Sequence, residues 1–577
     1  MGYRICYKKN KEHLYAAIVE DFYNPVIKRG SIRNIKSYGD LNKRRLIEPD
    51  IDEIIKKDLA KIKADGEKQK AITNKSLLDR AFEPNLSDNI PGSVPALNYG
   101  IGMYRKLWEK LNLDTWFNQY SRNHKDRVRF DYDMAAFYLS ACRILYPGSK
   151  KRTYERRDSF IYDFSALTLD NLYDTLGLLA ASKETLVNHL NRNIAGLYER
   201  TVTVALYDCT TFYFESFDTD ELRARGMSKE NRTNEVQVVM GLLIDGDGIP
   251  LDYDLFKGNT SEINTMLQVV KRHREAAGLG SVTVIADRGL NSAFNLSELT
   301  REGFDYIVAQ SIDRLGNSFK EQVFDGNWES VFGTEDNDTF KLKTIADEED
   351  SIIVSWSLKR EMHDLKVLEE RWEKSCELIS RGSSAVEASF KHGTRQFLKS
   401  KSGHKAEYEP NTRLYEKRRK YAGFYALKTS LKNLSPSEVY AKLRQLWRVE
   451  ACFRVLKSNL EARPVYVWST EHIRGHFLIC YLALVLERLS LKMIREAGIE
   501  VSSHKLIELM RGQQIIVLPS SKRIYTGCVR TGQGGDDQSV ELADKAMSHF
   551  NLEAVNKIEL TPMLLKKLKV KLPFKIK

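Results

Sequence analysis

Hydrophobic and polar residues follow different periods in different parts of this chain, and each change of period predicts a new region. Short apolar runs typical of β-strands occupy residues 3–7 and 14–19, and a basic stretch follows at 28–36. The charged residues at about 50–70 predict a solvated helix or linker. From about 100 to 198, apolar residues recur three and four positions apart, which predicts a series of helices.

At residue 201 the pattern changes from helices to strands. Asp245-Gly-Asp-Gly248 is a strong hairpin signal between two apolar runs, and Thr260 or Ser261 is suited to cap the helix that follows. The predicted elements are strands at 201–208, 236–244, 249–256, 282–287 and 304–309, with one helix ending at about 275 and another at about 293–302. This β-β-β-α-β-α-β order is that of a ribonuclease-H-like core, an antiparallel meander extended by parallel strands.

The helix that closes such a core does not come next in the chain. The residues in between predict strands at 339–345 and 351–356, a charged helix at about 360–381, and further strands near Tyr415 and at 424–428. These elements predict a β-rich insertion between the strands of the core and its last helix.

A long amphipathic helix is predicted to begin after Ser435, because Ser435-Pro436-Ser437-Glu438 has the residues of a capping box. The apolar residues at 472–490 predict a buried helix, since their longest uninterrupted run is too short to span a bilayer. The chain is therefore predicted to be an α/β protein. Its expected architecture is a ribonuclease-H-like catalytic core with a β-rich insertion, preceded by a small β-containing segment and a helical domain.

The domain boundaries follow from these changes of pattern. The regions are an N-terminal β-strand segment with a charged helix at 1–95, a helical domain at 96–199, the catalytic core at 200–310 and 432–492, the β-rich insertion at 311–431, and a C-terminal region with a basic tail at 493–577.

Charge and cysteine usage narrow the class of protein. The chain has 90 Lys and Arg against 78 Asp and Glu, a net charge of +12 that favours a polyanionic partner such as nucleic acid. Its 7 cysteines form no Cys-x-x-Cys pair, which argues against a zinc ribbon or a disulfide framework. The basic cluster at 150–157 predicts either a DNA-contacting surface or a solvated loop. With no apolar signal core at the N-terminus, we expect a cytoplasmic protein without membrane partners.

Three carboxylates stand out by their positions. Asp208 and Asp287 end apolar strands, and Glu450 lies in an amphipathic helix. An aspartate at a strand end is commonly a turn or cap residue. The first and fourth strands of the predicted fold run side by side, however, so both aspartates would emerge at neighbouring positions with the later helix packed across them. Converging carboxylates provide the all-oxygen ligands that magnesium prefers.

The helix around Glu450 presents a charged stripe. Glu450, Arg454, Lys457 and Glu461 have offsets of 0, 4, 7 and 11, which places them on one face of a regular helix. Glutamate with arginine four residues later is often only a surface ion pair. The stripe is therefore compatible with both a structural and a catalytic role.

An ordered series of motifs adds to these patterns. The chain resembles the DDE transposases of bacterial insertion sequences, of the type with a β-rich insertion before the catalytic Glu and a Tyr-Arg-Glu-Lys-like signature. The positions of that signature's Tyr and Arg hold Leu443 and Leu446, whereas Tyr440 and Arg444 lie close by. The matching stretches are Ala205-Leu-Tyr-Asp208, Phe256-Lys-Gly-Asn-Thr260, Ile285-Ala-Asp287-Arg-Gly289, Trp447-Arg-Val-Glu450 and Arg463-Pro-Val-Tyr466.

The resemblance implies a function and a set of roles. Asp208, Asp287 and Glu450 are implied to bind Mg²⁺, with two ions expected and Mn²⁺ able to substitute, and to catalyse strand cleavage and transfer. The implied partners are double-stranded DNA, as terminal inverted repeats and target, and further copies of the chain in a homodimer or higher oligomer. The protein would act at the bacterial nucleoid. Its first two regions are expected to bind DNA, with sequence recognition within the first 200 residues. The residues expected to contact DNA are Arg288, Tyr440, Arg444, Arg454 and Lys457.

Two other functions are compatible with the same residues. One is a metal-dependent DNA nuclease of the same fold without strand transfer. The other is a DNA-binding derivative that has lost catalysis, which the three intact carboxylates argue against. Neither a phosphate-binding Gly-x-x-x-x-Gly-Lys loop nor a His-Glu-x-x-His motif occurs in the sequence, so nucleotide hydrolysis and zincin chemistry are not indicated.

Overall fold

A computed structural model describes residues 2–10, 13–24, 29–63, 96–198, 200, 202–226, 235–277, 282–332, 339–347, 350–388, 395–401, 407–516, 525–526 and 537–552. The chain divides into two compact units, one of Met1–Ser93 with Pro519–Ser521 and one of Val94–Leu518 with Lys522–Lys577. The basic tail and the residues around the predicted boundary at 95/96, up to residue 95, lie outside the described residues.

The first unit is a three-stranded sheet with helices, as the short apolar runs predict. Its strands β1 (Gly2–Asn10), β2 (His13–Asn24) and β3 (Arg29–Asp40) form an antiparallel meander. Helix α1 (Leu41–Ile47) is followed by α2 at 51–63, where the charged helix was expected. Ile18, Leu41, Ile51 and Ile55 form the buried core between strand and helices.

The second unit begins with a helical region. Strand β4 (Ala96–Asn98) precedes helices α3 (Ile101–Lys110), α4 (Leu113–Asn123), α5 (Tyr132–Leu145), α6 (Lys150–Glu155) and α7 (Leu169–Tyr198). The basic cluster therefore begins with a helix, and Lys150 is 4% exposed. The expectation of a solvated loop was wrong there, because Ser149 caps α6 by accepting a hydrogen bond from the Arg152 N–H.

A mixed sheet lies at the centre of this unit. Its core strands are β5 (Val204–Tyr213), β6 (Gln237–Asp245), β7 (Pro250–Lys257), β8 (Thr283–Ala286) and β9 (Asp305–Gln310), with α8 (Met266–Ala277) and α9 (Ala293–Arg301) between them. Strands β5, β6 and β7 pair antiparallel, whereas β5, β8 and β9 pair in parallel. The predicted ribonuclease-H-like order is confirmed.

The insertion continues the same sheet. Its elements are α10 (Asn317–Phe324), β10 (Ser330–Phe332), β11 (Phe340–Asp347), β12 (Asp350–Ser357), α11 (Leu358–Ser380), α12 (Ser383–Ala388), β13 (Leu398–Ser400), β14 (Tyr408–Pro410), α13 (Thr412–Lys420) and β15 (Phe424–Thr429). Strand β15 pairs antiparallel with β9, which gives the order β10-β11-β12-β15-β9-β8-β5-β6-β7. The strand predicted near Tyr415 is wrong, because the Asn411 side chain caps a helix there.

The helices after the insertion begin as predicted but are interrupted. The capping box at Ser435 starts α14 (Pro436–Leu443). A 3₁₀ turn at Arg444–Leu446 separates it from α15 (Trp447–Arg454), and a π-helical turn at Val455–Asn459 follows. The prediction of one long regular helix is therefore wrong. The buried helix α16 (Thr470–Glu496) comes next.

The described C-terminal residues add one more helix pair and a small sheet. Helix α17 (Ser503–Gly512), strands β16 (Gln514–Ile516) and β17 (Tyr525–Thr526), and helix α18 (Asp537–His549) complete the unit. Strand β16 pairs antiparallel with β4. Among the described residues, no helix combines the length and the apolar character needed to cross a bilayer.

Candidate active site

The strand register places Asp208 beside Asp287. Strands β5 and β8 pair in parallel up to Tyr207 and Ala286, so the next step along both strands is Asp208 and Asp287. The backbone at Asp287 is still extended, with φ −76° and ψ 169°. Paired positions of neighbouring strands are about 5 Å apart. Two residues that are far apart in the sequence therefore begin their side chains from adjacent backbone positions.

Both aspartates belong to the face of the sheet that carries the main core. Leu206 and its partner Ile285, two residues earlier, belong to the main hydrophobic core. Side chains alternate between the two faces of a strand, so Asp208 and Asp287 share the face of Leu206 and Ile285. This is the face on which α15 packs.

The two aspartates differ in their surroundings. Asp208 is half-buried, and its Oδ1 accepts a hydrogen bond of 2.7 Å from the Cys209 N–H. Asp287 is exposed, and its backbone carbonyl accepts a hydrogen bond from the Leu290 N–H, which closes the turn after β8. Burial, and then the negative charge of Asp287, raises the pKa of Tyr425 on β15. The insertion strand thus lies within the electrostatic reach of Asp287.

Helix α15 packs on the sheet and leaves Glu450 at its surface. Val449 and Phe453 are buried against the sheet. The Arg448 side chain passes 3.7 Å from the position that a Cβ on Gly248 would occupy, so this flank of α15 faces the turn between β6 and β7. Successive residues of a helix are about 100° apart, which puts Glu450 on the opposite flank, away from that turn. Glu450 itself is exposed.

The charged stripe on this helix is shorter than the sequence predicts. Glu450 and Arg454 lie in α15, but Lys457 belongs to the π-helical turn, where its Nζ is 5.9 Å from the ring centre of Phe212. Glu461 has φ 43° and lies beyond the helix, so its predicted place on the stripe is wrong. The extra residue in a π turn changes the direction of all later side chains. Lys457 is thereby positioned over the end of the strand that carries Asp208.

Arg288 opens onto a cavity next to Asp287. The cavity has a volume of about 460 Å³ and lies between the end of β9, the helices α11 and α13, and β15. Arg371 and Arg418 contribute further positive charge, and Tyr421 and Tyr425 contribute aromatic surface. The insertion therefore brings arginines and aromatic rings to the same edge of the sheet as Asp287.

The remaining predicted DNA contacts lie just before α15. Tyr440 is half-buried with its ring centre 4.8 Å from that of Phe340, so the ring packs on the insertion strand β11. It also lies close enough to Tyr425 to influence the pKa of that residue. Arg444 is exposed in the 3₁₀ turn. Of these two side chains, Arg444 is the one that solvent reaches freely.

The structure adds Glu262, which the sequence analysis did not select as a site residue. Its Oε2 lies 2.8 Å from the position that a Cβ on Gly289 would occupy, so the carboxylate rests on the turn that follows Asp287. The Thr265 hydroxyl donates to the Glu262 carbonyl at 2.6 Å and contacts the Cys209 thiol at 3.0 Å. Two features of the sequence could have indicated this contact. One is the acidic residue that ends Gly258-Asn-Thr-Ser-Glu262, and the other is the glycine two residues after Asp287.

The donor set fits a hard divalent cation. Asp208, Asp287 and Glu450 offer only carboxylate oxygens, the ligands that Mg²⁺ prefers. Within the described ranges, no three histidine, cysteine, aspartate or glutamate side chains gather closely enough to make a complete metal site by themselves. Carboxylates without a cation between them repel one another, which favours this separation.

Comparison with known proteins identifies the family of the core domain. Residues 203–486, from the beginning of β5 into α16, match the family model of the transposase DDE domain. None of the curated proteins matches the chain. Among solved structures, it is similar to a cryo-EM structure of a piggyBac transposase synaptic complex with hairpin DNA, with a TM-score of 0.35 and 10% identity over 83% of this chain and 87% of that chain. The family match covers the core strands and α15, so the chain belongs to the DDE transposases, which use divalent metal ions to cut DNA and transfer its strands.

Proposed function

We propose that Asp208, Asp287 and Glu450 are the catalytic carboxylates of this transposase. The single observation that carries the proposal is the parallel register of β5 and β8, which sets Asp208 beside Asp287 on the sheet face covered by α15. Glu450 lies on the flank of α15 opposite Arg448. We propose that it completes the site with these two aspartates when a metal ion is bound.

We further propose that these carboxylates hold two Mg²⁺ ions, for which Mn²⁺ can substitute. When bound, the ions would favour attack by water or a 3′-hydroxyl and stabilise the leaving oxygen of an in-line displacement. The chain's own carboxylates fix where the reacting phosphodiester lies. The half-buried position and backbone hydrogen bond of Asp208 hold its carboxylate in place, whereas the exposed Asp287 and Glu450 remain accessible to DNA.

The cations around this site suit the DNA backbone. Arg288 follows Asp287 directly, Arg454 shares the face of Glu450, and Lys457 lies over the end of β5. Arg444 lies in the 3₁₀ turn just before α15, and Tyr440 lies in α14. We propose that these residues contact phosphates at the cleaved end, where cations supply most of the binding free energy without reading sequence.

The proposed substrates are the terminal inverted repeats of the chain's own mobile element and a target DNA, processed by cut-and-paste transposition. The first unit and the helical region before β5 would recognise the repeats, and two or more copies of the chain would hold both ends. In a bacterial cell this activity places the protein at the nucleoid.

Cleavage and joining can be measured with purified full-length protein, a labelled terminal repeat, a target plasmid and Mg²⁺. Joined products support the proposal, whereas nicks without joining indicate a nuclease. The variants Asp208→Asn, Asp287→Asn and Glu450→Gln should each lose cleavage by several orders of magnitude while DNA affinity changes little, because phosphate contacts come from lysine and arginine. Glu321→Gln changes an exposed carboxylate on α10 and serves as control. Retained cleavage in any triad variant contradicts the assignment.

A further inference from the structure

The segment between the π turn and α16 presents two aromatic side chains to solvent. Val465 and Val467 are 1% and 4% exposed, whereas Tyr466 and Trp468 are 50% and 51% exposed. This alternation is that of an extended segment, in which every second side chain points to the same side. The two buried valines therefore anchor the segment and direct both rings outward.

The segment is attached to the strand that carries Asp208. The Val465 N–H donates a hydrogen bond of 3.3 Å to the carbonyl of Tyr213, the last residue of β5. Phe212, the residue before it, lies under the Lys457 ammonium group. The aromatic pair thus lies at the carboxyl end of β5. Lys457, one of the proposed phosphate contacts, lies over the same end of the strand.

Charges around the two rings are arranged unevenly. The Arg223 guanidinium lies 5.8 Å from the ring centre of Trp468, and the Arg463 guanidinium lies 5.4 Å from that of Tyr213. Arg223 is buried and paired with Asp220, so its guanidinium supports the Trp468 ring from within the protein. Burial, and then the negative charges of Glu215 and Glu461, raise the pKa of Tyr466. These charges would repel a phosphate backbone from the ring, which leaves the uncharged bases to cover it.

Exposed aromatic faces of this kind stack on nucleic-acid bases, and they do so with little dependence on sequence. Paired and stacked bases do not offer their faces to a protein, so the partner has to be unpaired. Side chains two residues apart on an extended segment are separated by about 6.6 Å, roughly twice the distance between stacked bases. The rings are therefore spaced for a stretched single strand.

We infer that Tyr466 and Trp468 form a stacking platform for unpaired bases of DNA near the cleaved end. The inference rests on the proposed function and adds to it a recognition surface outside the carboxylate site. By holding bases after the duplex opens, the platform would favour the distorted DNA in which the scissile phosphate reaches the carboxylates.

The test compares full-length wild-type protein with Tyr466→Ala/Trp468→Ala on two labelled ends, one fully paired and one with a short mismatched stretch at the cleavage position. Cleavage of the paired end should fall about tenfold or more, the effect of losing one or two base–aromatic stacks. The mismatched end should be cut at close to the wild-type rate, because its bases are already unpaired. Tyr466→Phe/Trp468→Phe should restore both rates.

Phe294→Ala is the matched control, because this residue is 67% exposed on α9, which packs on the second hydrophobic core. It should cut both ends like wild type. Equal losses on the two ends, no loss on either, or a similar loss in the control would overturn the inference. Failure of the wild-type protein to cut either end would instead contradict the proposed function, so the two outcomes are distinguishable.

Discussion

At the scale of single residues, the site depends on a glycine that leaves room for a carboxylate. Gly289 has no side chain, and Glu262 occupies the space that a Cβ would fill. The turn of Asp287, Arg288 and Gly289 therefore lies against a fourth acidic residue. This contact couples the loop after β7 to the turn after β8, and both loops lie at the end of the sheet that carries the aspartates.

Gly289→Ala should slow DNA cleavage several-fold with a change in unfolding free energy below about 0.5 kcal/mol, because the added methyl meets the end of a flexible side chain at the surface. Combining it with Glu262→Ala should give a rate that is not the product of the two single effects. Cleavage rates of the four proteins and their denaturant midpoints check this. Gly316→Ala, whose Cβ would come no closer than 3.8 Å to any neighbour, is the control. If the rate loss of the double variant equals the product of the two single losses, the contact between Glu262 and Gly289 does not contribute to cleavage.

At the scale of elements, three helices hold the backbone that follows the π turn. Lys150 of α6 donates to Nδ1 of His476 at 3.3 Å, and the other ring nitrogen of His476 donates to the Ala462 carbonyl at 3.2 Å. Arg143 of α5 donates to the carbonyls of Leu460 and Glu461. Burial, and then Lys150 and Arg143, keep the pKa of His476 well below its ordinary value, so the ring is neutral. These contacts position the start of the segment that carries Tyr466.

Lys150→Met should raise the free energy of unfolding at pH 7 by on the order of 1–3 kcal/mol, because a buried amine is replaced by an apolar side chain of similar size. Burial lowers the pKa of Lys150 from 10.5 to about 7. The unfolded chain therefore binds a proton that the folded chain releases, and wild-type stability rises between pH 7 and 10.5. The difference in unfolding free energy between Lys150→Met and wild type is therefore largest below pH 7 and disappears above pH 10.5.

Denaturant titrations across this pH range measure the effect. The control is Lys151→Met, which changes an exposed neighbour and should show no such pH dependence. A constant difference between Lys150→Met and wild type at every pH would contradict the assigned burial of the amine.

At the scale of the whole molecule, the second unit has one main core that joins the helical region to the catalytic sheet. Residues of α3 to α7, of the sheet and of α16 all contribute to it. Helices α7 and α16 approach each other closely, since a Cβ on Gly475 would lie 2.0 Å from the Leu176 carbonyl oxygen. The region expected to bind DNA is thus packed rigidly against the helix that follows the active site.

Gly475→Ala should destabilise the protein by about 1–3 kcal/mol or more, because close-packed backbones cannot admit a methyl group without moving the helices apart. Gly196→Ala, within α7 but with open space around its Cβ position, should instead stabilise it by about 0.5–1 kcal/mol. Thermal and denaturant unfolding compare the two. Equal effects of the two substitutions would show that α7 and α16 are not packed this closely.

Much of this architecture was predictable because local signals are strong where apolar periodicity and turn residues agree. The meander of β5, β6 and β7 and the capping box at Ser435 were located from such signals. The strand expected near Tyr415 failed because a single capping residue, Asn411, favoured a helix over a short ambiguous pattern. The stripe from Glu450 to Glu461 failed because one inserted π turn alters the helical period.

The sequence by itself determined which residues we propose for the chemistry, because the three carboxylates and the motifs around them are local features. The order of its strands and helices also indicated that β5 and β8 run side by side, and the structure gives their register. Only the tertiary structure decided that β15 joins β9 and that Glu262 rests on Gly289. The burial of Lys150 against His476 was likewise decided there. Contacts between distant segments depend on how whole elements pack, and no local period encodes that packing.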